Sequence, residues 1–276
     1  MKREIKIGMV GYSGIGRVHV LGYRALPVIY PTGIPRPLLQ RVWTSREESA
    51  EAAREEAGFV HGSGDIGSLV KATDVDMIDI TLPNHLHLAA VESAVATGKP
   101  IYCEKPLAGS IEDARKIAAI VRKSATPFGM VFQYRHLPAI MKAKELIEGG
   151  ALGRIYTFRA EYLHSGYQNP ERPLSWRMKR AEGGSGALGD LGSHVIDLIR
   201  HLVGEFDAVQ GNLETFIKER PISKGARQKG TVTVDDVAWL HARMSGGAVG
   251  SIEASRFATG TLDDLRLWID GEKGAL

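Results

Sequence analysis

Ile5-Lys6-Ile7-Gly8-Met9-Val10-Gly11-Tyr12-Ser13-Gly14-Ile15-Gly16 reads as a buried strand running through a glycine-rich turn into a helix. The apolar run of residues 5–10, interrupted by glycine, is the pattern of a strand covered on both faces. Residues 14–26 then carry the first helix, whose opening N–H groups have no intrahelical acceptor and favour an anion. Gly11 and Gly16 stand at the first and third glycine positions of a dinucleotide-binding turn, with Ser13 in the middle position and Gly14 beside it. Taken alone, the turn fits an ordinary tight connection equally well.

Outward from that turn, the four prolines of residues 27–37 predict a loop. Strand and helix patterns alternate after it: strands at 38–43, 75–81, 100–103 and 127–132, and helices at 47–57, 86–96 and 111–124, with Gly58 and Gly98 as stops. Such alternation predicts a parallel sheet with its chemistry at the carboxyl ends of the strands, so the chain opens as a Rossmann dinucleotide-binding domain. After Tyr134 the rhythm changes. A linking helix at 139–148 is followed by strand-like runs at 155–162, 208–217, 232–243, 248–256 and 262–269, with one helix at 188–202. The expectation is an α/β chain in two domains, residues 1–133 and an α+β domain at 134–276 with a mostly antiparallel sheet. The sequence stops at the turn signal Gly271-Glu272-Lys273-Gly274 with a strand just starting, which predicts a second domain incomplete at its C-terminus.

The totals exclude several classes. With 276 residues, 43% hydrophobic and 24% charged, the chain has the composition of a folded globular protein. Its apolar runs are strand-sized, well short of the ~20 residues of a spanning helix, and the start leads straight into a strand, so a cytoplasmic location away from membranes is expected. Cys103 is the single cysteine, which precludes an intrachain disulfide. A net charge of +3 without a basic block argues against a nucleic-acid partner.

Two further stretches carry chemistry. Glu104-Lys105-Pro106 follows a predicted strand. The run Gly183-Gly184-Ser185-Gly186-Ala187-Leu188-Gly189-Asp190-Leu191-Gly192-Ser193-His194 leads into a helix on which Asp190, His194, Asp197 and His201 fall at i, i+4, i+7 and i+11, one narrow stripe beside an apolar one. Such a stripe can hold a metal or move protons. Combined with the glycine turn, these motifs resemble the glucose-fructose oxidoreductase and inositol dehydrogenase (Gfo/Idh/MocA) family from about residue 4 onward.

The resemblance implies hydride transfer between nicotinamide and a secondary alcohol of a sugar, inositol or related polyol. It places Lys105, Asp190 and His194 at the reacting oxygen, uses no metal, and leaves Asp197 and His201 as a structural pair. It also implies a homodimer or homotetramer. Cofactor contacts are expected at Gly11, Ser13, Gly14, Ile15 and Gly16, at Thr44, Ser45 and Arg46, at Pro83, Asn84 and His87, and at Glu104 and Lys105. The absence of an acid before Glu47 leans from NAD toward NADP, because a guanidinium and hydroxyls suit a 2′-phosphate. An N-cap role for that segment is the alternative. Substrate contacts are expected from Lys105, Asp190 and His194 with Tyr134, Arg135, Tyr167, Trp176 and Arg177, where aromatic faces and charged donors suit a carbohydrate. Two other activities fit the same motifs: an NAD-dependent glycoside hydrolase of this fold, and a non-catalytic dinucleotide sensor.

Overall fold

A computed structural model describes residues 4–276. They form two compact units, one ending at Val131 and one beginning at Phe132.

The first unit alternates strands and helices: β1 (Glu4–Val10), α1 (Gly14–Ile29), β2 (Arg36–Trp43), α2 (Glu47–Ala57), β3 (His61–Ser63), α3 (Ile66–Val70), β4 (Met77–Ile80), α4 (His87–Val95), β5 (Ile101–Cys103), α5 (Ile111–Ser124) and β6 (Phe128–Met130). All ladders are parallel and the order is β3-β2-β1-β4-β5-β6, so the chain reverses direction across the sheet between β1 and β4. In such sheets ligands bind beyond the carboxyl ends of the strands at this switch point.

Neighbouring residues of β1 feed opposite cores, as a pleated strand requires. Met9 packs with Val20, Val42 and Ala53 on one side, and Val10 with Ile78, Val91 and Ile101 on the other. Local signals fix two helices without help from the rest of the chain. Helix α2 has Glu47 and Glu48 in its first turn, Arg54 in its last and Gly58 at φ +65° behind it. Helix α5 is capped by Ser110, whose hydroxyl accepts the Asp113 N–H.

One expectation needs correction here. The first helix runs through Pro27 to Ile29 rather than stopping at residue 26. A proline costs one N–H acceptor pair, and the Tyr30 N–H still reaches the Leu26 carbonyl, so the turn closes. The short β3 and α3 within residues 58–74 carry too few residues for a periodic signal.

The second unit begins with α6 (Pro138–Glu148) and β7 (Ile155–Leu163). It continues through α7 (Arg180–Gly183), a wide π-type turn at Leu188–Gly192, and α8 (Ser193–Leu202). Then follow β8 (Phe206–Glu214), β9 (Glu219–Pro221), β10 (Lys229–Thr231), β11 (Val237–Met244), β12 (Val249–Ser255) and β13 (Asp264–Gly271). Its main sheet has the order β13-β7-β12-β11-β8, antiparallel except for β12 beside β7. Val195, Leu198 and Ile199 of α8 pack with Phe158, Ala160, Ile252 and Ile269 of the sheet, while Tyr156, Val209, Leu213, Trp239 and Val249 stay exposed. The expected single strand at 232–243 is shorter, because Asp236 turns its carboxylate to the N–H groups of Phe216 and Ile217 just before β11 begins.

Candidate active site

The glycine turn sits at the end of β1, beside the switch point. Gly11 has φ +98°, and a Cβ there would lie 3.0 Å from the Thr81 carbonyl oxygen. Gly16 lets α1 approach the sheet, since its Cβ would meet Thr81 Oγ1 at 3.1 Å and the Gly11 carbonyl at 3.2 Å. Thr81 in turn donates to that carbonyl at 2.8 Å. Gly14 opens the helix with nothing within 4 Å of its Cβ position, beside exposed Ser13 and half-buried Ile15. The uncapped first-turn amides and this open space fit the pyrophosphate of a dinucleotide.

At the end of β2, the Thr44 hydroxyl bonds to the Arg46 carbonyl at 3.0 Å and meets the Ser49 hydroxyl. Arg46 is the residue before α2, and neither it nor Ser45 caps the helix by a side-chain bond. Both are exposed. After β4, Pro83 leads into a single turn, Asn84–Leu86, ahead of α4. His87, expected at the cofactor, is fully buried, with its ring nitrogens 2.9 Å from the Leu82 carbonyl and 3.2 Å from the Leu107 carbonyl. Burial lowers its pKa against the pull of those carbonyls, so it is a neutral brace for two loops. That overturns its assignment as a cofactor contact.

Glu104, also expected at the cofactor, turns its carboxylate inward. One oxygen faces His19 Nε2 at 3.0 Å and the other accepts the Lys105 N–H at 3.0 Å. Lys105 is half-buried at the carboxyl end of β5, and the peptide to Pro106 is cis. Cys103 is buried beneath them, and burial together with the nearby carboxylates raises its thiol pKa, which leaves it a packing residue.

His19 escaped the sequence reading. Its Nδ1 lies 2.9 Å from Asp79 Oδ2, which also accepts the Tyr23 hydroxyl at 3.0 Å. Burial disfavours the imidazolium, but hydrogen bonds to Asp79 and Glu104 outweigh it and raise the His19 pKa to about 10. The pKa is raised on folding, so the stability it confers is full below the ordinary value near 6.5 and is lost as pH climbs through about 10. Unfolding free energy is expected to fall by about 1.4 kcal/mol per pH unit within that window. Urea titrations from pH 7 to 10 on the wild type and His19→Gln would check this; parallel slopes for the two proteins would refute it.

In the second unit, the glycine run folds against Asp235. A Cβ on Gly186 would lie 1.7 Å from the Asp235 carbonyl oxygen, and the Asp235 carboxylate accepts the N–H groups of Gly186 and Leu188, each at 2.7 Å. The wide turn that follows holds Asp190, and α8 holds His194 and Asp197. Asp190 accepts from Arg256 Nη2 at 2.9 Å, and His194 and Asp197 contact the segment 132–135.

The His194 ring lies 4.7 Å from Tyr134, 5.9 Å from Tyr162 and 6.2 Å from Phe132, and the residue is 4% exposed. The Tyr134 and Tyr162 hydroxyls share a 2.7 Å hydrogen bond, and burial raises the Tyr162 pKa. Asp197 is bound by Nε and Nη2 of Arg135 rather than by His201, a second correction. The Lys144 ammonium, which donates to the His201 carbonyl, is one cause, after burial, of that imidazole's lowered pKa. Among the described residues no group of three or more His, Cys, Asp or Glu side chains could hold a metal.

Tyr167 also departs from expectation. It is 6% exposed among Met178, Val232 and Val234, with the guanidinium carbons of Arg172 and Arg256 at 4.2 and 4.4 Å from its ring centre. A ring so covered cannot stack on a sugar, so Tyr167 supports Arg256 instead. Trp176 keeps a half-buried face with Arg177 stacked at 4.3 Å. Arg256 itself, unsuspected in the sequence, is 1% exposed and its Nε has no partner among the described residues.

Residues 5–132 match the family described as oxidoreductase family, NAD-binding Rossmann fold, and residues 140–276 match the GFO/IDH/MocA C-terminal domain. Levoglucosan dehydrogenase from Pseudarthrobacter phenanthrenivorans is 37% identical over 285 residues, which cover 99% of this chain and 73% of that protein. A solved structure of levoglucosan dehydrogenase in complex with NADH and levoglucosan superposes with a TM-score of 0.94 at 38% identity, over 99% of this chain and 72% of that one. The scyllo-inositol 2-dehydrogenase (NADP(+)) of Bacillus subtilis is 26% identical over 280 residues, 99% of this chain and 71% of that protein. No helix among the described residues is long and apolar enough to cross a membrane. Matched in both halves, and aligned along nearly its whole length with a dehydrogenase at this identity, the chain is a member of the Gfo/Idh/MocA oxidoreductase family.

Proposed function

We propose that the chain oxidises a secondary alcohol of a sugar, an anhydrosugar or a cyclic polyol. The observation that carries this is the Asp190 and His194 pair on the wide turn and α8, with Asp190 held by buried Arg256 and His194 by three aromatic rings. A bound nicotinamide dinucleotide supplies the two-electron acceptor, held by Gly11, Ser13, Gly14, Ile15 and Gly16 and by the loop at Pro83 and Asn84. His194 takes the hydroxyl proton as the alcohol becomes a carbonyl, and Asp190 stabilises the imidazolium that results. Lys105 donates a hydrogen bond to the same oxygen. Trp176 and Arg177 offer an apolar plane and charged donors to the ring hydroxyls, and Tyr134 orients His194.

The test is a panel of levoglucosan, D-xylose, scyllo-inositol and short hydroxy acids with NAD and with NADP, followed at the nicotinamide absorbance. Reduction with a sugar or inositol is expected. Glycoside cleavage without net reduced nicotinamide would establish the hydrolase instead, and NADH binding without any turnover the sensor.

For the cofactor we propose that NADP is accepted, with Arg46 at the 2′-phosphate. The support is that Arg46 is exposed and has no ion-pair partner among the described residues, with no acid from Trp43 to Arg46. Ser45→Asp is expected to shift the ratio of kcat/KM toward NAD by about tenfold, by adding a diol acceptor and a repulsive charge. A wild type that strongly prefers NAD, with Arg46→Ala changing neither KM, would return Arg46 to an ordinary surface residue. We also assign self-association, as a homodimer or homotetramer, to the exposed face of the second unit's sheet around Trp239 and Val249. Sedimentation of the wild type and Trp239→Glu would test it.

A further inference from the structure

We propose that His19 is a positioning residue for Lys105, acting through the carboxylate of Glu104. The inference rests on the assignment of Lys105 to the substrate oxygen. Its starting point is a cluster inside the first unit that the mechanism above leaves unused. The His19 side chain is 8% exposed and lies between two carboxylates that are themselves buried, Asp79 at 0% and Glu104 at 8%. Its Nδ1 is 2.9 Å from Asp79 Oδ2 and its Nε2 is 3.0 Å from Glu104 Oε1.

A neutral imidazole has one N–H to donate, so one carboxylate would face a nitrogen lone pair. Two buried anions without a cation between them are strongly unfavourable. The geometry therefore requires the imidazolium, donating to both sides. The remaining groups around the cluster agree: the Tyr23 hydroxyl donates to Asp79 at 3.0 Å, the Tyr102 ring is 5.9 Å from the imidazole, and His87, which feels the Glu104 charge, is kept neutral by burial.

The consequence runs along Glu104. With Oε1 fixed by His19, Oε2 is aimed back at the chain, where it accepts the N–H of Lys105 at 3.0 Å. The peptide that carries the lysine is thus tied to α1 and β4 by charge-assisted hydrogen bonds rather than by loop packing alone. Asp79 and α1 lie on the β1 and β4 side of the sheet, so the device anchors the end of β5 to the strands flanking the switch point. Misplacing a reacting group by an ångström costs up to about 10²-fold in rate.

Three measurements test it. Nitrogen NMR of the wild type, with His19→Gln to assign the signal, is expected to show a doubly protonated His19 ring at pH 8; a neutral ring would overturn the bridge. For whichever of levoglucosan, D-xylose or scyllo-inositol is turned over, His19→Gln and Glu104→Ala are each expected to lower kcat about 10-fold to 100-fold, with NADH affinity by fluorescence within about twofold. The double variant should be no worse than Glu104→Ala, since His19 acts through Glu104. Additive losses, or a kcat loss matched by an equal loss of NADH affinity, would overturn the proposal. Should His19→Gln fail to fold, a near-normal kcat for Glu104→Ala overturns it alone. Lys105→Met separates the two layers: an active Lys105→Met removes the assignment of Lys105, whereas an inactive one beside unimpaired His19→Gln and Glu104→Ala removes only the role of His19.

Discussion

Replacement of His194 by alanine is expected to lower kcat by about 10² to 10⁴ while NADH affinity stays unchanged, the signature of a lost proton acceptor rather than a lost binding contact. The imidazole is the group on α8 best placed for this. It is fixed by the Tyr134 and Tyr162 rings, and those hydroxyls bind each other at 2.7 Å, so its setting is rigid. The truncation also opens space in a buried cluster, which is expected to cost about 1 to 3 kcal/mol of stability. A thermal melt must therefore accompany the kinetics. His194→Asn restores part of the volume without a titrating group, and should recover stability without recovering kcat. Near-normal turnover in either variant would remove His194 from the mechanism.

Arg256→Met is expected to reduce both stability and turnover. The guanidinium is 1% exposed, donates to Asp190 at 2.9 Å, and lies 4.4 Å from the ring centre of Tyr167. Methionine keeps most of the apolar volume but leaves Asp190 without its fixed cation. Breaking a buried pair by removing one partner costs about 3 to 5 kcal/mol, and the lower end applies because Asp190 remains 28% exposed. Turnover should fall about tenfold or more, as Asp190 loses the charge that holds it toward its role beside His194. The discriminating measurement is a double-mutant cycle with Asp190→Asn. Strong non-additivity in kcat is expected, because both changes act on one carboxylate. Additive effects would show that Arg256 serves the packing of Tyr167 and not the site.

The sequence by itself determined those parts of the protein whose causes are local. Helices α2 and α5 begin and end at the residues expected, because Glu47, Gly58 and Ser110 act within a turn of their own positions. The alternation of apolar runs with helical periods determined the parallel sheet, and Gly11 and Gly16 marked the turn at the end of β1, since each sits where a side chain would crowd the backbone or Thr81. Asp190 and His194 were legible as chemistry-bearing types at a helical spacing. Their surroundings were not. The wide turn at Leu188–Gly192 brings the Asp190 carboxylate to Arg256, and the glycine run before it docks on Asp235, both distant in sequence.

The partners of nearly every functional group lie far along the chain: His19 with Asp79 and Glu104, Asp190 with Arg256, Asp197 with Arg135. Spacing rules reach across a turn or a strand pair and no further. A histidine on α1, an arginine at the end of β12 and a tyrosine in a loop each look like surface residues in sequence, since charged and aromatic side chains carry no mark of what will cover them. Only the tertiary structure decided that His19 and Arg256 are buried cations, that Tyr167 is a covered ring and that His87 is a brace. The physical reason is that a buried charge is tolerated only where the fold delivers its counter-charge, and that delivery is a property of the packed chain.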